Sequence, residues 1–385
     1  MSEMNPTTRV VVDPEALAHN VAAVREGVNE RSRLMAVVKG NAYGHGLVEA
    51  SRVFLEAGAT WLGVSSVAEG VALREAGIVA PILNFLPAAP GEAEALVEAN
   101  VTGTVACSEH VTWLQEAQEA VGKSANAHVF VDTGLARMPS EDRAIDVIDM
   151  ASGLGVKVTG LYTHYGPPGS GAMADGLDLF KSGVSARMFG ALAEDLRTSA
   201  DRRDLVIHCA ASRLVLEEPK THLEMVRVGT LLYGQYPAHV KKRDLDLRET
   251  FELRSKVVHL GTVGVGGKVG YGGDFRARRE TTLATVPVGY SHGLGVMPLR
   301  LAQRLQTAVR GFLARIGGAW GRTTRLPTVR IRGREAPIIG RIAMDHCTVD
   351  VTDLPEVAPG DDVVLPVRRT AVSPEVPRVY APLGG

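Results

Sequence analysis

Lys39 directly follows Met35-Ala36-Val37-Val38, an apolar run with the length of a buried strand. An amine at the end of such a strand is poorly solvated. That lowers its pKa and leaves it able to attack a carbonyl. The position alone also fits a lysine that snorkels out to water. Other polar residues stand at similar places, at or just behind an apolar run. Asn41, Tyr43 and His45 follow Lys39, and Asp132, Thr133, Gly134 and Arg137 lie at the end of Ala127–Val131. Thr163 and His164 follow Val156–Tyr162, and His208 and Ser212 lie at and beyond the end of Leu205–Cys209. Arg227, Gly229 and Thr230 lie in Met225–Leu232. A lysine, arginines, histidines, a serine and a tyrosine suit an anionic ligand that accepts hydrogen bonds. No metal is indicated: His45, His164 and His208 have neither HxH nor HExxH spacing. Cys107, Cys209 and Cys347 make no CxxC pair and no disulfide framework.

These residues need a scaffold that brings distant positions together. Eight short apolar runs, Met35–Val38, Trp61–Val64, Pro81–Phe85, Val101–Ala106, Ala127–Val131, Val156–Tyr162, Leu205–Cys209 and Met225–Leu232, read as strands buried on both faces. Helix-patterned segments alternate with them, from the one capped by Asp13-Pro14 to the long Asp178–Thr198. Such alternation predicts parallel strands with right-handed crossovers. Eight units fit an α/β fold of the (β/α)8 TIM-barrel type, with an open doubly wound sheet as the rival. In a barrel the chemistry sits at the C-terminal ends of the strands, where the polar residues above lie. After Leu245 helical spacing fades and β-patterned runs take over, beginning with Leu253–Val263, which predicts a C-terminal all-β domain. The expected organisation is a lead and strand over 1–12 packing with the β domain, a barrel over 13–245, and the β domain over 246–385. MSEMNPTTR has no apolar signal core and reads as a disordered lead. Gly311–Arg325 reads as a solvated loop.

The chain has 385 residues and a net charge of −1, from 42 Lys+Arg against 43 Asp+Glu. That balance argues against nucleic acid, or a membrane surface held by bulk charge. No run of 18 apolar residues exists, so a membrane span is not expected. A cytoplasmic enzyme with a small-molecule substrate is the expectation.

The stretch Val37-Val38-Lys39-Gly40-Asn41-Ala42-Tyr43-Gly44-His45-Gly46 resembles the pyridoxal-phosphate lysine motif of the alanine racemase family. The resemblance runs along nearly the whole chain. Val131-Asp132-Thr133-Gly134-Leu135-Ala136-Arg137, Thr163-His164, His208-Cys209-Ala210-Ala211-Ser212 and Val226-Arg227-Val228-Gly229-Thr230 resemble further family blocks, in order. In the β domain Val269-Gly270-Tyr271-Gly272, Val286-Pro287-Val288-Gly289-Tyr290 and Gly340-Arg341-Ile342-Ala343-Met344-Asp345 do the same.

The resemblance implies pyridoxal 5′-phosphate as cofactor and racemisation of an amino acid, most simply L- to D-alanine, as in D-alanine biosynthesis. It implies that Lys39 carries the cofactor and serves as the acid–base group on one face of the substrate. Tyr271 would be the second group, reached through hydrogen bonds from Tyr271 to His164 and from His164 to Arg227. Arg227 would face the pyridine nitrogen. Tyr43, Ser212, Gly229 and Thr230 would hold the phosphate, with His164 and Lys39 also lining the cofactor. Arg137, Met344 and Asp345 would receive the substrate carboxylate, with Tyr290 at the entrance. Because Tyr271 and Lys39 lie in different domains, the resemblance implies a homodimer with shared active sites.

Several positions depart from the family pattern. Phe130 stands where many members carry a carbamylated lysine that braces the arginine, so Arg137 must be held by Asp132 or a bound anion. Pro139, Ala211, His292, the loop at 165–169 and Pro374 also differ. These changes leave open a racemase of serine or another amino acid. An amino-acid decarboxylase of the same fold and a non-catalytic pyridoxal-phosphate-binding protein are rival functions. An arginine at 227, where such decarboxylases place an acidic residue, and the presence of Tyr271 disfavour both rivals.

Overall fold

The computed structural model describes residues 6–165, 184–198, 204–238, 240–241, 243–296 and 327–383. The first five residues of the lead, the helix start at 178–183, the loop at 166–169 and the segment 311–325 lie outside the described residues. Two compact units are present, one of Asp13–Thr250 and one of Met1–Val12 with Phe251–Gly385. Strand β1, Arg9–Val12, belongs to the second unit.

The first unit is built on eight parallel strands. They are β2 (Arg33–Val37), β3 (Trp61–Val64), β4 (Ile82–Asn84), β5 (Gly103–Val105), β6 (Asn126–Phe130), β7 (Lys157–Tyr162), β8 (Val206–His208) and β9 (Met225–Val228). Ladders join β4-β3-β2-β9 and β5-β6-β7-β8. Two seams close the ring. At one, Thr102 N donates to Ile82 O and Asn84 N to Thr102 O, both at 2.9 Å; at the other, Arg227 N donates to Ala210 O at 2.9 Å. The strands therefore follow one another in sequence order around a closed barrel.

Helices begin where the sequence offers caps. Asp13 Oδ1 accepts the Ala16 N–H at 2.9 Å ahead of Pro14–Glu26. Ser66 Oγ accepts the Glu69 N–H at 3.3 Å ahead of Val67–Glu75. Each cap satisfies an N–H that the helix itself cannot. Inside the barrel, Met35, Trp61, Leu83, Ala106, Phe130, Tyr162, Val206 and Met225 pack together, one from or beside each strand. The interior is a plug of side chains, so ligands are confined to its end.

The second unit adds to β1 the strands β10 (Phe251–Lys256), β11 (His259–Val263), β12 (Lys268–Val269), β13 (Phe275–Arg276), β14 (Thr281–Val286), β15 (Thr328–Ile331), β16 (Arg334–Ile339), β17 (Cys347–Asp350), β18 (Asp362–Leu365) and β19 (Arg378–Tyr380). Nine of them form one sheet in the order β11-β14-β17-β16-β15-β18-β10-β1-β19, while β12 and β13 make a separate hairpin. The run Leu253–Val263 is two strands with different neighbours. β10 pairs with β1 and β18, while β11 pairs with β14. Apolar patterning is blind to that change of partner at Val257-Val258. Among the described residues no helix is long and apolar enough to cross a membrane.

Candidate active site

Lys39 ends its strand on an unusual support. Gly40, Asn41 and Ala42 have φ/ψ of 64/49, 54/48 and 51/51, and Tyr43 has φ 53. The chain makes one left-handed helical turn. Only glycine enters that region freely, and each other residue costs roughly 1–2 kcal/mol. The cost is offset by a dense set of hydrogen bonds. Ala42 N donates to Val38 O at 2.7 Å and Leu47 N to Asn41 Oδ1 at 2.8 Å. Asn41 N donates to Glu69 Oε1, and Ser65 N to Glu69 Oε2, both at 3.1 Å. Tyr233 Oη donates to Val37 O at 3.0 Å, and its ring lies 4.7 Å from that of Tyr43. Burial lowers the Lys39 pKa; Arg137 lowers it further, and Glu69 opposes them.

A cavity of about 390 Å³ opens beside Lys39. Its lining brings together Lys39, Tyr43, Arg137, His164, Ser212, Arg227, Gly229 and Thr230, eight of the residues selected from the sequence. At one end Gly229 N donates to Ser212 Oγ at 3.1 Å. A Cβ on Gly229 would lie 2.6 Å from Tyr43 Oη, so only glycine leaves this cradle open. A small oxyanion group fits there among a phenol, a hydroxyl and backbone amides. The lysine, the cradle and a fixed guanidinium in one cavity match what pyridoxal phosphate needs.

Arg227 is 4% exposed on β9 and is held at three points. Its Nη1 donates to His208 Nδ1 at 2.8 Å, and its Nη2 to Thr163 O at 2.7 Å and Cys209 O at 3.3 Å. The Tyr162 ring lies beneath the guanidinium, 5.3 Å from centroid to Cζ. The expected hydrogen bond from His164 to Arg227 is not made among the described residues; three of the five Arg227 N–H groups go instead to His208 and two carbonyls. Burial, with Arg227, Arg137 and Lys39 nearby, pushes the His164 pKa down to about 3. His164 is therefore a neutral ring at neutral pH. Burial also lowers the Arg227 pKa, to about 10, which still leaves it a cation.

Asp132 does not brace the Arg137 guanidinium. Its Oδ1 accepts the N–H groups of Gly134 (2.9 Å) and Ala136 (3.1 Å), and its Oδ2 those of Arg137 (2.8 Å) and Met138 (3.2 Å). The carboxylate shapes the loop and is saturated by backbone donors. Phe130 is 3% exposed and belongs to the apolar plug, its ring 5.1 Å from that of Tyr162, with Phe85 and Met138 packed on the cluster. That is why an ionisable brace has no place at 130. The charged bracket around Arg137 is replaced by an apolar wall and a hydrogen-bonded loop.

The remaining predicted residues lie in the second unit. Tyr271 is 78% exposed, and Tyr290, Met344 and Asp345 are also exposed. Their loops are tied together. Arg341 Nη2 pairs with Asp274 at 2.9 Å, Tyr290 N donates to Ala343 O at 3.0 Å, and Ser291 Oγ donates to Met344 O at 2.6 Å. Sequence reasoning misses Glu69, His128, Tyr162 and Tyr233. The Ser66-x-x-Glu69 spacing is a visible signal for the first, since it marks a helix start behind a strand.

The chain matches the family descriptions "Alanine racemase, N-terminal domain" over residues 12–237 and "Alanine racemase, C-terminal domain" over residues 250–379. It is 32% identical over 364 residues to alanine racemase 1 of Caldanaerobacter subterraneus subsp. tengcongensis, covering 93% of this chain and 85% of that one. It is 33% identical over 359 residues to alanine racemase of Methanococcus maripaludis, covering 92% and 87%. Among solved structures, alanine racemase of Clostridium difficile 630 superposes with a TM-score of 0.82 at 25% identity, covering 98% and 97%. That of a D-cycloserine-producing Streptomyces lavendulae gives 0.78 at 29% identity, covering 99% and 98%.

Proposed function

The chain belongs to the alanine racemase family of pyridoxal-phosphate-dependent isomerases, and on that premise we propose how its residues divide the interconversion of L- and D-alanine. The observation that carries the assignment is the shared cavity of Lys39, Arg227 and the Tyr43–Ser212–Gly229 cradle. Bound pyridoxal phosphate supplies the electron sink without which the α-proton of an amino acid cannot be removed at a useful rate.

Lys39 holds the cofactor and moves the proton at one face of the substrate α-carbon. Its lowered pKa, from burial and Arg137, favours the free amine that this role needs. Ser212 Oγ, Tyr43 Oη and the amide of Thr230 hold the phosphate, with the amide of Gly229, which donates to Ser212 Oγ in this structure, turning to it as well. Arg227 would face the pyridine nitrogen; a guanidinium has no acceptor and keeps its protons, so it would hand no proton to that ring and would favour proton exchange over side reactions. Arg137 orients the substrate carboxylate. His164, neutral at working pH, offers a hydrogen bond without a competing charge.

Tyr271 moves the proton at the opposite face. We place it at the cavity of a partner subunit in a homodimer, entering with Tyr290, Met344 and Asp345. Its exposure, and the tying of its loop to theirs, support a preformed group that another chain completes.

Complementation tests this reading. Lys39→Ala and Tyr271→Phe should each be inactive alone. Mixed and allowed to exchange, they should regain about a quarter of wild-type activity. Half of the dimers would be hybrid, and in a head-to-tail pair one of two sites inherits neither defect. No recovery after demonstrated exchange would show that each site is built from one chain.

A further inference from the structure

Behind Arg227 lies a buried pair of histidines that the racemisation chemistry above does not use. His208 and His128 are both 0% exposed. His208 Nδ1 meets Arg227 Nη1 at 2.8 Å, and His208 Nε2 meets His128 Nδ1 at 2.9 Å. His128 Nε2 is buried and has no hydrogen-bond partner among the described residues. The rings are boxed in. Tyr162 stacks on His208 with centroids 4.9 Å apart and planes at 1°, and Trp61 lies 5.3 Å from His128. The backbone of β7 passes so close that a Cβ on Gly160 would lie 2.7 Å from His128 Nε2.

This arrangement allows one placement of protons. A guanidinium only donates, so His208 Nδ1 carries the lone pair. His208 has its single proton on Nε2 and donates it to His128 Nδ1. His128 therefore bears its own proton on Nε2, the atom left without a partner. Arg227 favours this tautomer of His208, but without His128 it would leave the His208 Nε2–H buried with no acceptor among the described residues. The other tautomer would set an N–H against the Arg227 N–H, donor against donor. Burial and the nearby Arg227 keep both rings neutral, His128 at about 3 and His208 well below the ordinary histidine range.

We propose that His128 is a positioning residue: by accepting from His208 Nε2 it fixes the tautomer that lets His208 receive, and so aim, the Arg227 guanidinium. The relay ends at the His128 Nε2–H, which is buried and meets no acceptor among the described residues. The proposal rests on the reading that Arg227 faces the cofactor ring, and it assigns to His128 a role in holding that contact steady during turnover.

The test is nitrogen NMR on protein carrying 15N-histidine, with the His208 signals identified by their loss in His208→Gln. In the wild type, His208 should report protonated Nε2 and bare Nδ1, with no variant needed. A protonated Nδ1 overturns the proposal. His128→Asn keeps an acceptor oxygen near the Nδ1 position and should retain both the tautomer and turnover within about threefold. His128→Leu removes the acceptor, should lose the single tautomer, and should lower kcat at least tenfold with little change in KM. If His128→Leu folds and turns over within threefold of wild type, the positioning role is overturned. Arg227→Gln separates the two assignments. Undiminished turnover there refutes the reading of Arg227, whereas the wild-type tautomers report on the His128–His208 relay by themselves.

Discussion

Acid should loosen the barrel in proportion to the neutral histidines inside it. A free histidine titrates near 6.5, whereas His128 and His164 are each held at about 3, mainly by burial and then by nearby cations. Between those values the unfolded chain binds protons that the folded chain refuses. Stability is therefore fully present above about pH 6.5 and is lost as the pH falls toward 3. At pH 5 an unfolded histidine is almost wholly protonated and a folded one almost wholly neutral, a difference worth about 2 kcal/mol per residue. His128, wholly buried, carries that figure in full. His164 lies partly open to the cavity, where screening by water reduces its share. His208 acts in the same direction. His128 and His164 together come to between about 2 and 4 kcal/mol, a large part of the roughly 5–15 kcal/mol that separates folded from unfolded protein. Asp132, whose burial is outweighed by four backbone donors, titrates below its ordinary value and so does not contribute between pH 7 and 5. Urea unfolding at pH 5, 6 and 7, read by hydrogen exchange of the amides in β6–β8, measures the slope. His128→Asn should flatten it by about one proton, near 1.4 kcal/mol per pH unit. Equal slopes in variant and wild type, or stability that does not fall between pH 7 and 5, would refute the reasoning.

Two further outcomes follow from the cavity walls. Gly229→Ala should weaken cofactor binding at least tenfold, about 1.4 kcal/mol, because its Cβ would press on Tyr43 Oη from 2.6 Å; spectroscopic titration of the apoprotein measures this, and unchanged affinity would remove Gly229 from the cradle. Glu69→Gln keeps the shape of the side chain but removes the charge that opposes burial and Arg137 at Lys39, so the limb of the pH–rate profile set by the lysine should move toward acid. A move toward alkali would contradict the sign.

How far the site is legible in the sequence depends on whether its parts are local. Lys39 can be found because an apolar run and a lysine are adjacent. The barrel can be found because its strands and helices alternate with distinct periods. The left-handed turn at Gly40–Tyr43 cannot, since Gly40 and Asn41 tolerate that region but Ala42 and Tyr43 do not favour it; it is held by the bond from Leu47 N to Asn41 Oδ1 and by Glu69 and Tyr233 from elsewhere in the barrel. In the sequence Phe130 reads as a missing brace, but its meaning is positive: it is a member of the interior plug, visible only once eight strands close. His128 escapes notice because it sits inside Ala127–Val131, where period and composition register only an apolar strand. Its signal is the cost of burying an imidazole without a partner, and the partner stands 80 residues away.

The charges around the cavity explain why so many polar side chains there are held by backbone. Lys39, Arg137 and Arg227 converge on one space, and among the described residues the carboxylates of Asp132 and Glu69 are bonded to backbone rather than to them. Asp132 is saturated by four N–H groups, and Glu69 by those of Asn41 and Ser65. On the roles proposed above, an acid free to pair with Arg137 would neutralise the cation offered to a substrate carboxylate, and one beside Arg227 would alter the charge offered to the ring nitrogen. The histidines solve the complementary problem. Arg227 needs an acceptor to aim it, yet an anion would cancel its field. A neutral imidazole with its lone pair outward supplies the acceptor without the charge. Keeping that imidazole neutral among cations requires depth, which the interior of an eight-stranded barrel provides. The fold thus does more than collect residues from eight strand ends: its packed centre holds His208 neutral, and that lets an arginine stand where its charge is wanted.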